Sequence, residues 1–134
     1  MTNSNHLATM AVASSAMRAQ SLRVRLASEN MANADSPEFK RRTVEFEVTN
    51  PHDNMRDVDF VGVKRIGRDN SAFQMTYDPT NPMANKDGYV VGSNVNSLIE
   101  MTNAREANRS YEASLNMFEQ ARNMYSDMID LLKR

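Results

Sequence analysis

All four glycines and all four prolines of this 134-residue chain lie between Pro37 and Gly92. The flanks, residues 5–34 and 97–134, contain neither. Proline removes a backbone donor and clashes with the preceding turn, and glycine costs a helix about 1 kcal/mol relative to alanine. Two uninterrupted helices around a loop-rich middle are therefore the expected arrangement. At 1.5 Å per residue they would measure roughly 45 Å and 55 Å.

The first flank is rich in Ala, Leu, Met, Arg, Gln and Glu, which are good helix formers. Ser4 or Asn5 is the expected N-cap. Steps of three and four give one row through Leu7, Met10, Ser14, Met17, Ser21, Val24, Ser28 and Met31. A second row runs through Ala8, Val12, Ala16, Ala19, Leu22 and Leu26. One row suits a partner in the same chain, and the other needs a partner elsewhere. Pro37 ends the helix, because the residue before a proline avoids helical geometry, and Asn33 and Asp35 can turn the chain.

In the second flank, Ser97 and Glu100 have the spacing of a capping box. The apolar row continues through Met101, Ala104, Ala107, Tyr111, Leu115, Phe118, Ala121 or Arg122, Tyr125, Ile129 and Leu132. Lys133 and Arg134 complement the negative end of the helix dipole.

The middle alternates in the manner of half-buried strands. Val44, Phe46 and Val48 form one set, and Val58 to Ile66 a second, with a bulge expected near Gly62. Phe73, Met75 and Tyr77 form a third, and Asp87-Gly88 is a tight-turn signal before Tyr89, Val90 and Val91. The fold class expected is α+β: long N- and C-terminal helices paired as a coiled-coil-like arm, with a small β-rich segment between them. The divisions are residues 1–35 for the first assembly helix, 36–96 for the β-rich segment and 97–134 for the second assembly helix.

Chemistry is hard to place on this chain. His6 and His52 do not form a pair spaced for zinc. Asp53, Asp57 and Asp59 cluster, with Asp57 and Asp59 expected on one strand face, but no converging partner accompanies them. Asn85, Asp87 and Gly88 fit three positions of a calcium loop, yet Met83 and Asn94 occupy the first and twelfth, where oxygen donors and a bidentate Glu belong. The glycines are too scattered to cradle a phosphate. Seven of eleven methionines (Met10, Met17, Met31, Met101, Met117, Met124 and Met128) lie in the helical flanks, where packing explains them better than copper does. No catalytic residue, cofactor or metal is expected, and the chain does not read as an enzyme.

A net charge of −1 gives no field for nucleic acid. The clusters Lys40-Arg41-Arg42 and Lys64, Arg65 and Arg68 read as solvated surface. With no cysteine, disulfides and thiolate metal sites are excluded. No apolar run is long enough for membrane insertion. Residues 1–16 lack the basic and apolar regions of a signal peptide, so a cleaved leader is not expected.

The segment Asn30-Met31-Ala32-Asn33-Ala34-Asp35-Ser36-Pro37 is more specific than stopping a helix requires. It resembles the motif that closes the N-terminal helix in bacterial flagellar rod, hook and filament-joining proteins, the flagellar axial family. Two stretches resemble its proximal-rod members: Tyr77-Asp78-Pro79 through Lys86-Asp87-Gly88-Tyr89-Val90, and Asn94-Val95-Asn96 through Arg109-Ser110-Tyr111-Glu112-Ala113. Where the family has Gly-Tyr after the proline, this chain has Glu38-Phe39, and glycine would admit a positive φ there.

The resemblance implies a structural subunit of the proximal rod, a torque-transmitting driveshaft around the export channel. Its partners would be itself, other flagellar rod proteins and the type III export apparatus, with export needing no cleaved signal. The assembly interface would fall on Leu22, Leu26, Tyr111, Leu115, Phe118, Tyr125 and Ile129. Another axial protein, or a soluble helical adaptor using the same helices, is the alternative.

Overall fold

The computed structural model describes residues 2–50 and 58–133, with the side chains of residues 2–4 left aside. Helix α1 spans Thr2–Ala32 and helix α2 spans Ser97–Leu132. Between them lie β1 (Arg42–Thr49), β2 (Phe60–Arg68), β3 (Met75–Tyr77) and β4 (Tyr89–Val91). The fold is α+β, as the distribution of glycine and proline requires. Ser4 and Asn5 fall within α1, so neither is its cap.

The helices pack antiparallel along their length. Asn30 near the end of α1 meets Glu100 near the start of α2, while Asn5, His6 and Thr9 line one groove with Met117, Ala121 and Met124 at the other end. Residues of α2 turned inward are spaced by seven or fourteen positions, at Glu100, Ala107 and Ala121, all buried, with Ser114 half-buried between the last two. A seven-residue repeat keeps one seam facing its partner. Of the eight fully buried apolar residues among those described, five are alanine: Ala13, Ala19, Ala27, Ala107 and Ala121. Small side chains let two helices approach closely, but they remove little apolar area from water.

Strands β1 and β2 form an antiparallel ribbon against α1. The Ser15 hydroxyl accepts the Val61 N–H at 3.2 Å and donates to the Val12 carbonyl. Phe60 is buried, whereas Val48, expected on the inner face, is 72% exposed. Val61, the partner of Val48, reaches α1 through its backbone N–H, yet the Val48 side chain stays uncovered. The bulge falls at Lys64, since Glu45 pairs with Arg65 and Phe46 with Val63. Gly62 sits in regular pairing instead. A Cβ there would lie 2.7 Å from Thr49 Cγ2, so glycine answers a close approach of the strands.

Strands β3 and β4 form a second, short antiparallel ribbon. Tyr77 and Tyr89 stack edge to face across it at 5.2 Å. The connection is stabilised by Asn85, whose side-chain oxygen accepts from Asp87 N–H and Tyr89 N–H, and by Gly88 at φ 82°. That bonding gives the calcium-like spelling a turn-forming role.

Glu38 adopts φ 55°, the one positive φ outside glycine among the described residues. The turn that glycine would make easily is kept, and Glu38 carries the strain. Glu38→Gly should stabilise the chain by about 0.5–1 kcal/mol, because relief of a left-handed conformation outweighs the added chain entropy. Urea denaturation followed by circular dichroism would measure it. A destabilised variant would mean that the Glu38 side chain makes a compensating contact.

Candidate functional site: the polar junction of helices and β segment

The most connected group of side chains joins the end of α1, the segment after Pro37 and the start of α2. Asn30 is 1% exposed. Its Nδ2 donates to the Arg42 carbonyl at 2.9 Å, and its Oδ1 accepts the Arg42 N–H at 2.8 Å. Asn30 therefore bonds the backbone of Arg42 as a neighbouring strand would. The same Nδ2 donates to Glu100 Oε2 at 3.1 Å. The other Glu100 oxygen accepts from Arg41 Nε in a close ion pair. Arg42 itself donates to Glu29 at 2.8 Å.

The network extends outward from Arg41. Its N–H donates to Asn94 Oδ1 at 2.6 Å, and its carbonyl accepts the Asp69 N–H at 2.8 Å. Asn94 Nδ2 donates to the carbonyls of Asp69 and Ser71. Glu38 N–H donates to the Gly92 carbonyl, Asn94 N–H to the Phe39 carbonyl, and the Ser93 hydroxyl to the Ala34 carbonyl. No buried side-chain nitrogen or oxygen among the described residues lacks a hydrogen bond. A buried polar network stabilises only when it is fully satisfied, and this one is.

The residues picked from the sequence divide in the structure. Of the helix-closing motif, Asn30, Asn33, Ala34 and Ser36 make bonds. Asn33 Nδ2 caps the Glu29 carbonyl at 2.9 Å, and Ser36 donates to Asn33 Oδ1. Ala32, Asp35 and Pro37 are exposed. Of the expected interface residues, Leu26 is buried within the chain at 4% exposure. Leu22, Leu115, Phe118, Tyr125 and Ile129 are half-buried and Tyr111 is exposed.

The capping box is not formed. Asn96 is the N-cap of α2, accepting from Leu98 N–H and Ile99 N–H, and Glu100 turns inward to Arg41 and Asn30. A charged partner in the interior outweighs a local bond at a wet helix end. Lys133 is the C-cap, and Arg134 lies outside the described residues. Sequence reading missed Glu100, Arg41, Ser93 and Asn94 as junction residues. The available signal was an acid placed on the seven-residue stripe of Ala107 and Ala121.

His6 stands half-buried on α1 beside the Met117–Met124 side of α2. His52, Asp53 and Asp57 lie outside the described residues. Asp59 precedes β2 and is exposed, so it is not a strand residue. Among the described residues no cluster of acids and histidines could hold a metal, and no helix is long and apolar enough to cross a membrane. The basic residues are partly paired: Arg65 with Glu45, and Lys40 with Asn70.

At the rim, the Ser71 N–H beside Asp69 holds that carboxyl below its usual pKa, and Arg41 adds to the effect. A depressed pKa means the contribution is present above the unfolded value and is lost as pH falls through the folded one. Acidification below about pH 4 should release the Ser71 amide. An amide chemical-shift titration would show a Ser71 transition below the ordinary Asp range, absent in Asp69→Asn. A Ser71 shift unchanged by that substitution would contradict the assignment.

A FlgC flagellar basal-body rod protein of Agrobacterium fabrum is 44% identical over 129 residues, covering 91% of each chain. The chain belongs to the FlgC family. Relatives of the same name are 38% identical in Buchnera aphidicola, covering 84% of this chain and 88% of theirs, and 33% identical in Salmonella typhimurium, covering 84% and 87%. Residues 86–131 match the family model of the flagellar basal body rod FlgEFG protein C-terminal region. That match runs from the turn before β4 through nearly all of α2, and it includes Asn94 and Glu100. The polar junction thus joins the family's C-terminal region to the motif that ends α1.

Proposed function

We propose that this chain is a structural subunit of the proximal part of the flagellar rod and that it assembles through its two terminal helices. Membership of the FlgC family supports a rod subunit of the flagellar basal body. The observation that carries the mode of assembly is the apolar surface left uncovered on α2. Leu98, Ile99, Met101, Met117, Met124, Leu131 and Leu132 are all exposed, beyond what a monomeric helix ordinarily leaves in water. Neighbouring rod subunits are the partners that would cover it.

In this reading residues 1–35 and 97–134 form the assembly arm and residues 36–96 face adjacent rod proteins. The arm lies around the export channel, and the rod carries torque outward. Stiffness then comes from helices packed at interior density, and the polar junction fixes the arm to the β segment. The subunit reaches its place through the flagellar export apparatus without a cleaved leader. It works by packing and performs no catalysis.

Deleting the gene should leave non-motile cells whose basal bodies, seen by electron microscopy, stop before the rod. A copy carrying Leu115→Asp should fail to restore swimming, whereas Gln20→Ala should restore it. Complete rods in the deletion strain would remove the reading and favour a helical adaptor, to be tested by partner pull-down.

A further inference from the structure

We propose that adjacent copies of this chain dock side by side, with the Arg18–Leu22–Arg25 face of α1 on one copy seated on the Glu119–Leu115–Glu112 face of α2 on the next. The inference rests on the reading that the terminal helices assemble, and it names the partner surface.

Arg18, Leu22 and Arg25 lie at steps of four and three, so at 100° per residue they share one face of α1. They line a shallow surface cleft together with Ser21. That face points away from α2, whose contacts are made by Thr9, Arg23 and Asn30 on the other side of the helix. Glu112, Leu115 and Glu119 lie at steps of three and four on α2. They lie to one side of the buried Glu100–Ala107–Ala121 stripe that meets α1, with Leu115 nearest to it.

The four charged residues are exposed and the two leucines half-buried. Among the described residues Arg18, Arg25, Glu112 and Glu119 take part in none of the ion pairs, which involve Arg23, Arg41, Arg42 and Arg65. Each face is thus an apolar centre between two like charges, and the signs are opposite on the two helices.

The spacing decides the orientation. Read from its C-terminal end, α2 presents Glu119, then Leu115 four residues on, then Glu112 three further. Those are the intervals of Arg18, Leu22 and Arg25. Two antiparallel helices therefore bring Arg18 opposite Glu119, Leu22 opposite Leu115 and Arg25 opposite Glu112. Copies pointing the same way meet this condition, because α1 and α2 are antiparallel within each chain.

Exposed ion pairs add little affinity on their own. Here they would set register and exclude wrong partners, while the leucine pair supplies the apolar contact. The two faces differ in residues and in charge, one on α1 and the other on α2. The contact is therefore heterologous, which repeats into an open helical array instead of closing as a two-fold dimer.

The chain has no cysteine, so the full-length Leu22→Cys, Leu115→Cys variant reports this contact alone. Mild oxidation of basal bodies isolated from cells carrying it should give a ladder of dimers and larger species that collapses on reduction. Monomer alone from motile cells would overturn the docking. Charge exchange gives a second readout that needs no cross-link. Arg18→Glu with Arg25→Glu should abolish swimming, and adding Glu112→Arg with Glu119→Arg should restore it. A fourfold variant no better than the twofold one would overturn the docking while leaving the rod function intact. Only complete rods in the deletion strain would count against the function itself.

Discussion

Arg41→Ala is expected to lower the unfolding free energy by about 3–5 kcal/mol, the cost of leaving one member of a buried ion pair without its partner. The Glu100 side chain is 1% exposed, whereas that of Arg41 is 26% exposed. Removing the guanidinium leaves Glu100 with Asn30 alone, at 3.1 Å. A charge that cannot be hydrated must stay buried at high cost, take up a proton or draw the helix end open. Replacing Arg41 and Glu100 together by Met and Leu should recover most of the loss, since no charge is then stranded and Asn30 keeps both its bonds to the Arg42 backbone. Urea denaturation of the purified chain, followed by helical circular dichroism, measures both variants. A loss below about 1 kcal/mol for Arg41→Ala, the value of an exposed pair, would show that the junction is hydrated and not the anchor of the fold.

Ala107→Leu is expected to cost about 1–3 kcal/mol and to abolish swimming. Ala107 is 0% exposed at the middle of the seam between the helices. A leucine there has no space, so α1 and α2 must separate or twist. Separation of the pair also moves every outward-facing residue of both helices relative to its neighbours in an assembly. Ala113→Leu is the control on the same helix. Ala113 is exposed, and substitutions at such sites usually stay within about 0.5 kcal/mol. Thermal unfolding and a swim-plate comparison of the two variants test this. Normal swimming with Ala107→Leu would mean that the seam tolerates a wider helix separation.

The two helices were legible because glycine and proline punctuate a chain locally, and their absence over 30 residues leaves few alternatives to helix. The same holds for the turns at Asp87-Gly88 and after Pro37, where one residue's allowed dihedrals decide the path. The motif from Asn30 to Pro37 was legible as a motif, but its chemistry was not. Asn30 bonds Glu100, seventy positions away. No local pattern relates the two, so Glu100 read as one half of a capping box with Ser97. The error at Val48 has a similar origin. Alternation identifies two faces of a strand, yet only the elements packed against it decide which of its residues are covered.

By itself, then, the sequence determined the element types, the pairing of two terminal helices and the flagellar axial resemblance, because propensity, punctuation and short motifs act over a few residues. Tertiary structure alone decided that Arg41, Asn30 and Glu100 form one satisfied junction, that Leu26 belongs to the interior of the chain, and that Leu22 and Leu115 are left half-buried. Those outcomes depend on which of several apolar stripes meets its partner first. Buried Glu100 is held by Arg41 and Asn30, which ties the start of α2 to the end of α1 and to the segment after it.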